Sequence, residues 1–520
     1  MTRALATFLL IAIQLALAPA KGNAPMPAVP VLPLIPSPAA WEPTGESLDL
    51  AVIARIVVVG ESRAAARQAD LLAGWWRDAT GRALPVRVAG ATGDAAGAIV
   101  LVLLGDEPDL APPVPGDSDE SHEILLAATG ITVTAATPAG LFRGVAALRQ
   151  LALAAAGDGG RLPCGRVAAA PRFRWRGMLL DSGRHLQDVA FIKDLIDLLA
   201  LYGFNVLHWH LTEDQGWRLE VPGHPRLTEI GAWRTTVDGG RYGGFYTVAD
   251  VREIVAHAAA RFVTVIPEIE LPGHCTAALA AYPELSCTGA PTAVESIWGI
   301  HEGAYCAGND SVFTFLGEVF DHVVEIFPAA YIHIGGDEVL KQRWRACPRC
   351  RVRMETEGLE NADQLQSWFI GRAEALLQDR GRRLVGWDES LEGGLAGTAT
   401  VQSWRGMRGA VAAVRLGNDA IVSPTSHAYF DQDPGPLPLE HVLAFDPVPP
   451  DLEPELARRI LGGEMNLWTE YIPQRRVHAM LFPRLTAMAE VLGAPAGPKP
   501  FPGFLARLRR HEAFWPALGV

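Results

Sequence analysis

After Pro171 the chain settles into one rhythm, an apolar strand, a polar loop and an amphipathic helix, and the strand recurs eight times before the C-terminus. The candidate strands are Trp175 to Leu180, Asn205 to Leu211, Phe262 to Ile269, Tyr331 to Ile334, Arg383 to Trp387, Thr400 to Trp404, Ala420 to Ser423 and Ile460 to Leu467. Apolar residues at three-to-four spacing predict helices over Val189 to Tyr202, Val248 to Ala260, Val312 to Phe327, Asp363 to Arg380 and Arg475 to Leu492. Thr247, with Asp250 three positions on, reads as the capped start of the second helix. Eight strand–helix units in about 350 residues predict an α/β fold, a (β/α)8 TIM barrel over 171–520, with its chemistry at the carboxyl ends of the strands.

A chain of 520 residues exceeds one ordinary core, and its first third has a different order of signals. A strand (Ile53 to Val59), a helix (Ser62 to Thr80), a strand (Ile99 to Leu104), two strands turning at Thr129-Gly130 and a helix (Pro138 to Ala155) predict a small α+β domain over 48–165. Its polar residues are scattered and form no catalytic constellation. Residues 21–47 are rich in Pro and Ala and read as an extended lead-in that can add an edge strand. Before them, Arg3 and an apolar run ending in Ala18-Pro19-Ala20 have the outline of a signal peptide over 1–20, so an exported protein, periplasmic or secreted, is expected. Gln14 and Pro19 leave that run short of the ~20 uninterrupted apolar residues of a membrane anchor, and nothing later is long enough to span a bilayer.

The carboxyl ends of the candidate strands can be read directly. They are Asp181 to His185, His210 to Asp214, Glu268-Ile269-Glu270 with His274, Gly335 to Glu338, Trp387-Asp388-Glu389, Ser403-Trp404, Tyr429-Phe430-Asp431 and Trp468-Thr469-Glu470. One polar strand end is ordinary solvation, whereas a nearly complete set on one rim is a site. Carboxylates with Arg bind hydroxyls through charge-assisted hydrogen bonds, and indole faces stack on the C–H face of a pyranose, so the mixture suits a sugar. Eleven of the fourteen Trp follow residue 170. Trp175, Trp368 and Trp515 read as packing residues; Trp387, Trp404 and Trp468, each at a strand end, read as binding residues. His208, His210 and His333 read as core histidines inside the barrel.

Net charge −13 without any basic run excludes a nucleic-acid partner. Six cysteines are too few to be the main scaffold. Cys347-Pro348-Arg349-Cys350 is a lone CxxC and weak evidence for metal, so a local disulfide or two free thiols is expected; Cys287 and Cys306 flank one loop that they could staple. No metal and no other cofactor is expected.

The sharpest local signal is Tyr331-Ile332-His333-Ile334-Gly335-Gly336-Asp337-Glu338. Two glycines let the backbone leave the strand tightly, and past the strand end both acids can reach one cavity. From about Pro36 onward the chain resembles glycoside hydrolase family 20, the β-N-acetylhexosaminidases. The resemblance is carried by Arg176 to His185, Asn205 to Arg218, Pro267 to His274, His333 to Glu338 and the Trp468-Thr469-Glu470 end. It implies removal of terminal N-acetylglucosamine or N-acetylgalactosamine from a glycan or amino-sugar oligosaccharide, with the substrate's acetamido group as nucleophile. Glu338 would be the acid and base, with a pKa raised by burial or by Asp337, and Asp337 would hold the acetamido N–H. Arg184 and Glu470 would hold ring hydroxyls, Trp387, Trp404 and Trp468 would wall the pocket, and Tyr429 with Asp431 would contact the acetamido and hydroxyl groups. His274 and Glu213 would support the acids; Glu213-Asp214 stands where the family often has Asp-Asp. Two alternatives remain open: a two-carboxylate glycosidase with Glu470 or Glu268 as nucleophile, and a carbohydrate-binding protein without catalysis.

Overall fold

A computed structural model describes residues 30–90, 95–105, 115–395 and 397–520. The leader expected over 1–20 and the first part of the lead-in lie outside the described residues.

A seven-stranded mixed sheet comes first. Its strands are β1 (Ala40–Asp49), β2 (Arg55–Val59), β3 (Val86–Ala89), β4 (Ala98–Leu103), β5 (His122–Ala127), β6 (Gly130–Ala135) and β7 (Arg161–Ala169), in the spatial order β1-β7-β5-β6-β4-β2-β3. Helices α1 (Arg63–Thr80) and α2 (Pro138–Ala156) lie against it and against each other. The lead-in does add an edge strand: β1 begins at Ala40 and pairs antiparallel with β7. α2 is buried almost all round because it packs both on the sheet and on helices Val189–Leu201 and Phe501–Glu512 of the following barrel. Polar clamps fix that docking. Gln150 Nε2 donates to the carbonyls of Ile35 (2.8 Å) and Leu201 (2.6 Å), and Glu120 accepts from Arg143 (2.6 Å) and Arg176.

The eight predicted strands then close into a parallel barrel in chain order. They run Trp175–Asp181, Val206–His210, Thr264–Glu268, Tyr331–His333, Arg383–Trp387, Thr400–Ser403, Ala420–Val422 and Ile460–Leu467. Thr247 and Asp250 form the expected capping box, with Thr247 N–H donating to Asp250 (2.9 Å) and Asp250 N–H to Thr247 Oγ1 (3.2 Å). The helix expected over Arg475 to Leu492 is broken into Val477–Leu481 and Arg484–Gly493, because Pro483 lacks the N–H that a continuous helix needs there. Among the described residues no helix is long and apolar enough to cross a membrane.

Candidate active site

All eight strand ends deliver a side chain to one rim. A single pocket there is lined by Arg184, Glu213, Glu270, His274, Asp337, Glu338, Trp387, Trp404, Tyr429, Asp431, Trp468 and Glu470. Every site residue expected from the sequence is in that set, and Glu270 joins them.

The fourth strand end sets the two acids. Gly335 and Gly336 take left-handed φ of +66° and +94°, and a Cβ on Gly335 would collide with the Glu270 carboxylate. Glu338 (φ +51°) and His274 (φ +47°) also take left-handed backbone, which costs a side-chain-bearing residue about 1–3 kcal/mol and concentrates at functional sites. His274 joins the pair: its Nε2 lies 3.5 Å from both Asp337 Oδ2 and Glu338 Oε2, while Nδ1 is 2.9 Å from Glu213 Oε1. Burial would strip the proton from His274, but Glu213 and Asp337 outweigh it and hold the ring well above the usual histidine range, as an imidazolium. Glu213, Asp214 and His274 offer ligand atoms close enough to share an ion, as do His274, Asp337 and Glu338.

The two acids differ in setting. The Asp337 side chain is 15% exposed and that of Glu338 31%, so the burial expected at Glu338 falls mainly on its neighbour. Burial, opposed by His274 and reinforced by Glu268 and Glu338, pushes Asp337 up to about 6. Its Oδ1 is buried and bonds no other protein group among the described residues; the same holds for Asp431 Oδ1 and Glu270 Oε2. Burial and the charges of Asp337 and Glu268 raise Glu270 well above the carboxylate range, and burial with Glu470 nearby brings Asp431 to about 7.

Arg184 is held from three sides: by Asp181 at 3.3 Å, Glu213 at 2.9 Å and Glu470 at 3.9 Å. Burial would raise Glu213, but Arg184 and His274 pull it well below the usual range, so its extra methylene does not keep it from bridging both cations. Trp468 lies under the Arg184 guanidinium at 5.1 Å. It also stands 5.9 Å from the ring of Trp387 and 6.4 Å from Tyr429, which stacks on Trp404 at 6.2 Å. The indoles are pinned from behind, Trp387 Nε1 donating to Glu268 (3.0 Å) and Trp404 Nε1 to Glu389 (3.0 Å).

Below the rim, the core histidines are all buried. Glu268 meets His333 Nδ1 at 2.7 Å, His208 Nε2 at 3.2 Å and His210 Nδ1; His208 Nδ1 also meets Glu464 at 2.7 Å. Burial would raise Glu268, but His333, His210 and His208 pull it well below the usual range. It does not line the pocket, so the alternative with Glu268 as nucleophile loses its geometric basis.

Three contributors went unassigned from the sequence: Glu270, Glu389 and Asp181. Glu270 was findable, since alternation sends residues 268 and 270 to the same side. Glu389 carries no such signal; it is raised to about 8 by burial and Asp337 only because the closed barrel brings two strand ends together.

The packing residues also sit as read: Trp175 Nε1 donates to Glu464 (2.9 Å), Trp515 Nε1 to Tyr202 Oη (2.8 Å), and Trp368 lies edge-on to Phe313.

Residues 173–495 match the model of the glycosyl hydrolase family 20 catalytic domain, and residues 31–168 match that of family 20 domain 2. The β-hexosaminidase of Porphyromonas gingivalis is 44% identical over 409 residues, which cover 75% of this chain and 53% of that protein; the chain thus spans about half that relative's length. The β-N-acetylhexosaminidase of Cellulomonas fimi is 34% identical over 511 residues, covering 94% of this chain and 96% of its own. The solved structure of the family 20 β-N-acetylhexosaminidase from Streptomyces coelicolor shares a TM-score of 0.81 at 32% identity over 95% of this chain and 97% of that one. A catalytic-domain match that spans the barrel and its loaded rim is decisive: the chain belongs to glycosyl hydrolase family 20.

Proposed function

We propose that the protein is an exo-acting β-N-acetylhexosaminidase that releases a terminal N-acetylglucosamine or N-acetylgalactosamine with the substrate's own acetamido group as nucleophile. The observation that carries this reading is Asp337 Oδ1, a buried acceptor without a protein partner, beside Glu338 in an aromatic-walled pocket. An orphaned buried carboxylate oxygen costs several kcal/mol of lost solvation unless a ligand supplies the donor. An acetamido N–H is such a donor.

In the first step the acetamido carbonyl oxygen attacks the anomeric carbon, the bond to the leaving oxygen breaks, and Glu338 delivers its proton to that oxygen. Asp337 orients the amide through its N–H and offsets the positive charge of the oxazolinium ring. In the second step Glu338 takes a proton from water, whose oxygen attacks the same carbon and reopens the ring with net retention. Arg184 with Glu470 and Tyr429 with Asp431 bind hydroxyl and acetamido groups, and Trp387, Trp404 and Trp468 enclose the ring.

The deciding experiment is inhibition of chromophore release from an aryl β-N-acetylglucosaminide by a thiazoline mimic of the cyclised intermediate. Competitive inhibition far tighter than the substrate KM is expected. A thiazoline that does not inhibit an active enzyme would favour a two-carboxylate route through Glu470, and no release of the chromophore at all would leave a binding protein.

Export belongs to the same reading and rests on the apolar run between Arg3 and Ala20. The mature protein should begin near residue 21; recovery of a chain starting at Met1 outside the cytoplasm would overturn cleavage.

A further inference from the structure

Four cysteines from two rim segments meet at one point. Cys287 and Cys306 lie in the long segment after the third barrel strand, while Cys347 and Cys350 open helix Pro348–Glu357 after the fourth. The Cys350 sulfur is 3.7 Å from those of both Cys287 and Cys306, Cys306 is 3.8 Å from Cys347, and all four sulfurs lie within 4.8 Å of one another. Cys306, Cys347 and Cys350 are buried and Cys287 half-buried, and all four are free thiols. Of the two readings of the CxxC, a local disulfide or two free thiols, the structure has the free thiols, and Cys287 and Cys306 are free as well. Each sulfur is shared among several neighbours rather than directed at one.

Four sulfurs at about 2.3 Å from a central zinc stand about 3.8 Å apart, the edge of a tetrahedron of that radius. We propose that Cys287, Cys306, Cys347 and Cys350 form a structural zinc site with four thiolate ligands. An all-sulfur tetrahedron suits zinc and disfavours magnesium, calcium and manganese, which take oxygen donors. Loading is acid–base chemistry without redox: four thiols lose four protons as one Zn2+ forms four Zn–S bonds.

The surroundings are built for it. Cys347 is the N-cap of the ten-residue helix Pro348–Glu357 and Cys350 lies in its first turn, where the helix dipole and free N–H groups favour thiolates. Arg349 donates to the carbonyls of Ser286 (2.8 Å) and Cys287 (3.4 Å), placing a cation beside a centre whose net charge would be −2. Gly308 is pressed against the CxxC turn: a Cβ there would collide with the Arg349 carbonyl and sit 2.6 Å from Cys350 N. The site would tie together two segments that position active-site groups, since Cys287 follows His274 and Cys347 follows Glu338 on the same rim. Trp344 already links them by donating to the Tyr305 carbonyl (2.9 Å).

The test is metal analysis of the full-length protein purified without added metal, alongside a thiol count in denaturant with chelator. About one zinc per chain and six reactive thiols are expected, with the zinc lost in the Cys347→Ser/Cys350→Ser variant. Two reactive thiols, from Cys164 and Cys275, would mean two disulfides and overturn the proposal; so would iron in place of zinc, or six thiols with no metal. Because the variant can fail to fold, wild-type protein stripped by chelator and reloaded with Co2+ provides an independent readout. Intense sulfur-to-cobalt charge-transfer bands with tetrahedral ligand-field bands are expected, and an octahedral spectrum overturns the site. Neither measurement depends on hexosaminidase activity.

Discussion

Two clusters of acids sit a few residues apart in the same barrel, one buried in its interior and one partly buried at its rim, and behave in opposite ways. In the interior, both oxygens of Glu268 and both of Glu464 are bonded: Glu268 by His210 and Trp387, with His208 and His333 also within ion-pair distance, and Glu464 by His208 (2.7 Å), Gln402 (2.8 Å) and Trp175 (2.9 Å). At the rim, Asp337, Asp431 and Glu270 each keep a buried oxygen with no protein donor among the described residues. The interior carboxylate Glu268 is accordingly pulled down by its histidines, whereas Asp337, Glu270 and Asp431 are pushed up, chiefly by burial. Buried acids that are fully paired hold the barrel together; buried acids left short of a partner are where a ligand completes the bonding.

The sharpest way to separate the clusters is substitution on each side. Glu338→Gln should lower kcat by about 10²–10⁴-fold, the range for a lost general acid, while Tm stays near wild type because the side chain is partly exposed. Equal rates for the variant and wild type would remove Glu338 from the mechanism. The interior should answer in stability instead. Glu268→Ala strands His210 Nδ1 and the Trp387 N–H and removes the charge facing three histidines, and should cost about 3–5 kcal/mol in denaturant unfolding; an unchanged midpoint would break the comparison. Asp337→Asn should lower kcat by about 10²–10³-fold on the acetamido substrate with little loss of stability, since it relieves a crowded set of acids. A large drop in Tm there would place Asp337 with the structural group.

Acidity should divide the clusters a second time. Burial would lower His208 and His210, but Glu464 and Glu268 for the first, and Glu268 with Glu213 for the second, raise them to about 9 and about 10. Their folded pKa values lie above the unfolded value, so their contribution to stability is full below about pH 6.5 and is lost as pH rises through 9 to 10. The rim responds at the other end. In the proposed mechanism Asp337 holds the amide as a carboxylate, so kcat/KM should fall as pH drops through about 6, by up to tenfold per unit, and that limb should vanish in Asp337→Asn. The smallest of these effects, it is also the most specific, because a structural acid would shift Tm and not the activity profile.

Much of this molecule is legible in the chain itself. Barrel strands are short apolar runs that end in polar residues, and both features are local, so all eight strands and the strand-end acids and indoles can be read from the chain. The roles of Arg184, Tyr429, Asp431 and Glu470 come from the resemblance, and Glu270, Glu389 and Asp181 are given none. Edge elements were harder: β3, four residues long with Arg87 and Val88 exposed, has too little apolar pattern to declare itself, and β1 is held by pairing with β7, about 120 residues away by loop closure. Pro483 did carry a readable break that the apolar periodicity around it concealed.

What the sequence determined by itself is the inventory: which acids, aromatics and glycines stand at strand ends, because spacing along a strand dictates facing. Only the closed tertiary structure decided how that inventory is shared. It placed Glu268 among three histidines and out of the pocket, brought Glu270 against Gly335, charged His274 between Glu213 and Asp337, and drew a lone CxxC onto two distant cysteines. Each of those outcomes depends on which strand ends become neighbours, and electrostatic and ligand-forming contacts act over a few ångströms of space whatever the separation along the chain.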